Sequence, residues 1–135
     1  CIRDSVVADR YCFGSMPGRE EIPLEEGKDI LQSIADYYMW RNQCPRAMGP
    51  ENIIARKKYI FDLVEKYHAD GIIVENMKFC EFWSYEKVLA SHILTEEMGV
   101  PCCTIEKEYA LGSIGQLRTR FQAFVESLEI KKINS

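Results

Sequence analysis

The chain has 135 residues, 47% of them apolar and 28% charged, with a net charge of −4. That length holds one core rather than two, the apolar share excludes disorder, and the mild acidity excludes a nucleic-acid surface. No apolar run approaches the about 20 residues of a membrane span and no leader-like segment opens the chain, so the expected setting is cytoplasmic with no membrane contact.

Residues 5–9, Ser5-Val6-Val7-Ala8-Asp9, read as a first strand, followed by the loop chemistry of Tyr11-Cys12-Phe13-Gly14-Ser15-Met16-Pro17-Gly18. The stretch 14–26 is the expected linker. Ile30, Leu31, Ile34, Tyr37 and Tyr38 then recur at helical spacing, predicting a helix that ends near Arg41. After the breaker Asn42-Gln43-Cys44-Pro45, Pro50 stands at the first turn of a second helix over residues 50–68. Its apolar side carries Ile53, Ile54, Ile60, Phe61, Val64 and Tyr67, which assigns Arg56, Lys57, Lys58 and Glu65 to solvent.

Gly71-Ile72-Ile73-Val74 is apolar without alternation, the pattern of a parallel strand buried on both faces. Glu75-Asn76 reads as the turn that follows. Met77-Lys78-Phe79-Cys80 leads into a helix with Ser84 as N-cap and Glu86 in its first turn. That helix carries Val88, Leu89, Ile93, Leu94 and Met98, and Gly99 ends it as a C′ glycine does. Pro101 opens a third strand through Cys102-Cys103-Thr104-Ile105, and a polar loop runs from Glu106 to Gly112. Ser113-Ile114-Gly115-Gln116 matches a capping box, and Leu117, Phe121, Phe124, Val125 and Leu128 follow at clean helical spacing.

The order is β-α-α-β-α-β-α without a hairpin signal. It predicts an α/β fold, a Rossmann-like parallel sheet flanked by helices. Three strands make a small sheet and the chain opens on Cys1, so residues 1–135 read as one Rossmann-like lobe of a longer subunit, its sheet extended by a missing segment or a partner chain.

In such a sheet the ligand crevice lies at the carboxyl ends of the strands, which gathers Cys12, Cys80 and Glu108-Tyr109. Cys80 stands at the switch from strand to helix; packed as a small hydrophobe between Phe79 and Phe82 it would have no chemistry at all. Six residues separate Cys12 from Arg19, one more than a phosphatase thiol loop needs, and that chemistry is rejected. Zinc is disfavoured, because there is no C-x-x-C and the two histidines, His68 and His92, fall on helices. Six cysteines in a chain of long amphipathic helices read as reduced thiols; Cys102-Cys103 fits core packing, and Cys44 before Pro45 is weak evidence for a ligand. Gly112-Ser113-Ile114-Gly115-Gln116, with Arg118 and Arg120 behind it, sets backbone N–H groups beside two guanidinium groups, which suits phosphate as well as it suits an ordinary capped helix. No G-x-G-x-x-G follows the first strand, which argues against a nicotinamide enzyme.

The run Asp70-Gly71-Ile72-Ile73-Val74-Glu75-Asn76-Met77-Lys78-Phe79-Cys80-Glu81, then Glu106-Lys107-Glu108-Tyr109, Gly115-Gln116-Leu117-Arg118-Thr119-Arg120 and Glu126-Ser127-Leu128, resembles the C-terminal lobe of the 2-hydroxyacyl-CoA dehydratase family. Val7-Ala8-Asp9 and Cys44-Pro45 share in the resemblance. Benzoyl-CoA reductase subunits belong to the same family, and the look of residues 7–18 and 77–83 leans toward them. The resemblance implies an oxygen-sensitive two-subunit enzyme with a [4Fe-4S] cluster in each subunit. Cys80 matches the cluster ligand of the C-terminal lobe, and the remaining ligands come from the missing N-terminal half. It further implies an acyl-CoA substrate, ketyl-radical chemistry at its thioester, and a separate ATP-hydrolysing activator that delivers the electron; nothing in the chain resembles a P-loop. Gln116, Arg118 and Arg120 are the residues expected to bind substrate, through CoA phosphates or the substrate tunnel. Two other classes compete. One is a non-catalytic Rossmann-like module that docks a partner subunit and keeps Cys80 as packing; the other is a redox-sensing thiol protein, since a helix N-terminus lowers a thiol pKa.

Overall fold

The computed structural model describes residues 5–12, 20–41, 44–46, 49–110, 112 and 114–133. The chain divides into two compact units, one of Val6–Leu63 and the other chiefly of Val64–Ser135.

In the first unit, residues 5–10 form no strand, and Val6 and Val7 are exposed. The expected order is corrected accordingly: the described chain runs α-α-β-α-β-α. Three apolar residues can sit on a pleated surface, but a strand exists only where a neighbouring ladder takes its N–H and C=O groups. Helix α1, Ile30–Asp36, continues as a π-helical turn, Tyr37–Arg41, and so ends where the periodicity placed it. The Asp29 carboxylate caps it by accepting from the Leu31 N–H at 3.1 Å. Tyr37 is buried and its hydroxyl closes a loop, donating to the Glu20 carbonyl at 3.1 Å. The Lys28 ammonium pairs with Asp36 at 2.8 Å, and that ion pair with the Gln32 amide holds the Asp36 carboxyl below its ordinary range.

Helix α2, Pro50–Tyr67, begins on its proline as expected. Arg56 departs from expectation: assigned to solvent, it is 2% exposed. A helical wheel sorts residues by charge, whereas a guanidinium can be buried wherever partners receive it, and Arg56 is engaged in such an interaction.

In the second unit, strand β1, Ile72–Met77, pairs in parallel with strand β2, Cys102–Lys107, in the register Ile72 to Cys102 through Met77 to Lys107. Helix α3, Glu81–Glu96, is the crossover between them and packs on both strands. Leu94 and Ala90 of α3 and Ile105 of β2 form the buried centre. Gly99, at φ 62°, ends α3 as the sequence required: its N–H donates to the Thr95 carbonyl, and the Val100 N–H reaches back to Leu94. Helix α4, Ile114–Ile133, turns Leu117, Phe121, Phe124, Val125 and Leu128 inward, and those five are its half-buried positions. Lys132 of α4 pairs with Asp70 at 2.8 Å.

Gly71 and Asn76 stand five residues apart, so along an extended chain their Cβ directions fall on opposite faces of the sheet. Asn76 bonds to α3, and a Cβ on Gly71 would meet Phe124 and Leu128 of α4. The two helices therefore flank a two-stranded parallel sheet. Two expectations about β1 are corrected. Glu75 and Asn76 lie within the strand rather than in a turn. Ile73 is 44% exposed, so β1 is not buried on both faces by the described residues.

Candidate functional site

β1 ends at Met77, and the chain must enter α3 by Glu81. Lys78 and Phe79 make that turn, and Phe79 does so in the left-handed region at φ 70° with its ring 89% exposed. Cys80 is then the N-cap of α3, in extended conformation and without a capping bond from its side chain. The expected cap, Ser84, is instead inside the helix, and Glu86 is buried beyond the first turn, where Glu81 supplies the acid. With the left-handed turn at Phe79, the cap falls on Cys80, four residues ahead of the serine.

The backbone around Cys80 is held on both sides. Its N–H donates to the Met77 carbonyl at 3.0 Å, while its own carbonyl accepts from the Ser84 N–H at 3.0 Å and from the Ser84 hydroxyl at 3.0 Å. Ser84 Oγ in turn accepts from Asn76 Nδ2 at 3.0 Å. The ladder continues past the strand through the Lys78 N–H, which donates to the Lys107 carbonyl at 2.8 Å. Beside it the Lys78 ammonium meets Glu108 Oε1 at 2.6 Å and tethers the two strand-end loops; that carboxylate holds Lys78 above the ordinary lysine range. Lys107 and Glu75, at 2.6 Å, bridge the strands below.

Cys80 and Glu108 thus share one sheet end. Tyr109 follows, 89% exposed. Cys12 is an exposed residue of the other unit and follows no strand. Cys102 and Cys103 are half-buried in β2, where burial, with Cys103 beside it, pushes the Cys102 thiol up to about 11. Half-buried thiols fit the core role expected of them. Cys44 is half-buried and Pro45 fully buried.

Of the residues expected to bind phosphate, Gln116, Arg118 and Arg120 are all exposed on the first turns of α4. Arg120 is partly committed, its Nη2 donating to the Thr104 carbonyl of β2 at 2.9 Å. Ser113, the serine of the capping box, lies outside the described residues, as does much of the 14–26 loop. Sequence reasoning missed the Lys78–Glu108 pair, the Asn76–Ser84 link and the Asp29 cap. Only the last had a local signal, an aspartate immediately ahead of an apolar-periodic run.

A soft thiol at the carboxyl end of a parallel strand, its sulfur spent on no capping bond, is a donor suited to iron–sulfur or zinc chemistry. Among the described residues no three His, Cys, Asp or Glu side chains gather to hold a metal ion. Cys80 by itself can offer one thiolate to such a group.

The fold and site define an α/β unit with a thiol presented at a strand–helix switch. The chain belongs to the 2-hydroxyglutaryl-CoA dehydratase D-component family, which it matches over residues 3–128. It is 30% identical over 124 residues to the (R)-phenyllactyl-CoA dehydratase beta subunit of Clostridium sporogenes, covering 92% of this chain and 32% of that protein. It is 31% identical over 91 residues to the lactoyl-CoA dehydratase subunit beta of Anaerotignum propionicum, covering 66% of this chain and 24% of that one. YjiM of Escherichia coli K12, provisionally named a dehydratase subunit, is 28% identical over 126 residues, 91% of this chain and 30% of its own length. The chain thus spans about a third or less of the relatives it matches. No helix among the described residues is long and apolar enough to cross a membrane.

Proposed function

We propose that this chain is the C-terminal lobe of a cytoplasmic 2-hydroxyacyl-CoA dehydratase subunit and that Cys80 is its ligand to a [4Fe-4S] cluster. The observation that carries the reading is the placement of Cys80: backbone bonded on both sides, sulfur uncommitted, at the carboxyl end of β1. The other cluster ligands belong to the remainder of the subunit, a second homologous subunit is its partner, and a separate ATP-hydrolysing activator delivers the electron. Dehydration is preferred over ring reduction because the relatives with named substrates are dehydratase subunits.

When bound, the cluster would lend a low-potential electron to the thioester carbonyl while the 2-hydroxyl and a β-proton leave as water, and would take that electron back at the end, so that the dehydration is redox-neutral. This chain's residues hold and shape. Met77, Ser84 and Asn76 fix the Cys80 backbone, and the Lys78–Glu108 pair ties the two loops of the sheet end together. Arg118, exposed near the start of α4, is the residue proposed for the CoA phosphates. Arg120, engaged with β2, shapes the helix end instead. Replacing Arg118 by alanine should raise KM for the acyl-CoA more than it lowers kcat, and an unchanged KM would remove that role.

The test of the cluster is iron and acid-labile sulfide in the full-length subunit, purified anaerobically with its partner, wild type beside Cys80→Ala. About four irons per subunit that vanish in the variant are expected. Equal iron in both, or none in either, favours the second reading, a non-catalytic docking module. The observation on that side is the exposed apolar arc of α3: Phe82, Tyr85, Val88 and Leu89.

A further inference from the structure

Cys80 follows a turn with no packing of its own. Phe79, the residue before it, is left-handed and 89% exposed, and the Lys78 ammonium lies 5.6 Å from its ring centroid. Beside the backbone bonds to Met77 and Ser84, one buried side chain adds stiffness to the site. Asn76 is 1% exposed, paired in the ladder opposite Glu106. Its Nδ2 donates to Ser84 Oγ at 3.0 Å, and Ser84 Oγ donates to the Cys80 carbonyl at 3.0 Å. The sheet is thereby linked to the Cys80 carbonyl through the Ser84 hydroxyl, in addition to the bond from the Cys80 N–H to Met77.

Each member of this chain is a poor choice for structure alone. Asparagine is disfavoured in strands, and a serine bonded to the carbonyl four residues back loosens a helix slightly. Among the described residues Asn76 Oδ1 is also buried without a hydrogen-bond partner, which leaves the desolvation of that oxygen uncompensated. A leucine, with the same heavy-atom branching, would carry no such penalty. Once the nitrogen, Cα and carbonyl carbon of a cysteine are fixed, one rotor places its sulfur in three staggered positions. A ligand held to a few tenths of an ångström needs such support behind it.

We propose that Asn76, acting through Ser84, is the positioning residue for Cys80, and that its contribution is to metal retention rather than to the stability of the lobe. This rests on the cluster reading above. The experiment uses the full-length subunit purified anaerobically with its partner, as wild type, Asn76→Leu, Ser84→Ala and Ser84→Thr. Three quantities are read: the rate at which a ferrous chelator strips iron, the line shape of the reduced protein by electron paramagnetic resonance, and the thermal midpoint of the iron-free protein. Ser84→Ala and Asn76→Leu should lose iron about 10-fold faster, with broadened resonance, since support behind a metal ligand is commonly worth that much or more. Ser84→Thr, which keeps the hydroxyl, should behave as wild type, and no variant's midpoint should fall below that of the wild type.

Iron loss at the wild-type rate in both Ser84→Ala and Asn76→Leu overturns the inference and leaves the cluster reading standing, because the wild type then carries iron. Faster loss in Ser84→Thr as well, or loss that follows a fall in the midpoint, also overturns it, in favour of a purely structural role. A wild type without iron overturns the cluster reading and this inference together.

Discussion

Gly71 sits one residue ahead of β1, and its substitution by alanine tests how α4 lies on the sheet. The added Cβ would stand 2.8 Å from Phe124 Cζ and 3.1 Å from Leu128 Cδ1 and Cδ2. Forcing a methyl into a packed contact costs about 1–3 kcal/mol. Against that, Gly71 has no positive φ, so alanine fits the backbone and gains about 0.4–1 kcal/mol by restricting the unfolded chain. Both neighbours meet the new atom with the ends of side chains and are half-buried, which favours the low end of the steric cost. The net expectation is about 0.5 kcal/mol of destabilisation, or about twofold in a local opening constant. The assay is amide hydrogen exchange at residues 72–77 in the intact subunit, since this chain is about a third of its relatives and a global melt would mix in the rest. In a Phe124→Ala background the closest atom is gone, and Gly71→Ala should there become neutral or slow exchange. Equal acceleration in both backgrounds, or none in the wild type, would refute the packing of α4 on Gly71.

Phe79→Gly should be more stable than Phe79→Ala by about 1 kcal/mol in urea unfolding of the same subunit, because both lose the ring and only glycine relieves the left-handed strain; equal stabilities would deny that strain. Cys102, pushed from an ordinary 9.0 to about 11, should alkylate at pH 8 about tenfold slower than an unperturbed thiol, its thiolate being about 100-fold scarcer but about tenfold more nucleophilic. Peptide mapping after iodoacetamide treatment reads this, and labelling as fast as the exposed Cys12 would refute it. The sign for stability follows: with the folded value above the unfolded one, the contribution of Cys102 is complete below pH 9 and is lost as pH rises through about 11.

What was legible in the sequence was whatever depends on local pattern. The spacing from Leu117 to Leu128 identified the inward side of α4, Gly99 ended α3, Pro50 began α2, and the run from Ile72 to Val74 was a strand. What failed depends on partners. Val6 and Val7 carry the same β preference as Ile72 and Ile73, yet no ladder receives them. Arg56 is charged and buried. The cap of α3 moved from Ser84 to Cys80 because a phenylalanine took a conformation that sequence statistics reserve for glycine and asparagine. The Asn76–Ser84 bond joins a strand to a helix eight residues on, with a left-handed turn between them, and no periodicity reports it.

The same distinction separates the cysteines. By composition they are equivalent, and only their placement sorts them. A thiol must lose its proton to bind metal, so burial within a strand works against ligation, as the raised value of Cys102 illustrates. Cys12 is exposed in a stretch that belongs to no strand or helix. Cys80 is placed differently. It is half-buried at the end of a strand, ahead of the first-turn N–H groups of α3, and its backbone is bonded to Met77 and Ser84. A strand–helix switch gives that combination because the strand is anchored in its ladder up to the last residue while the side chain after it is released toward the crevice. The family resemblance pointed to Cys80 by motif; the fold gives a physical reason for proposing residue 80 as the ligand rather than residue 102, in the adjacent strand.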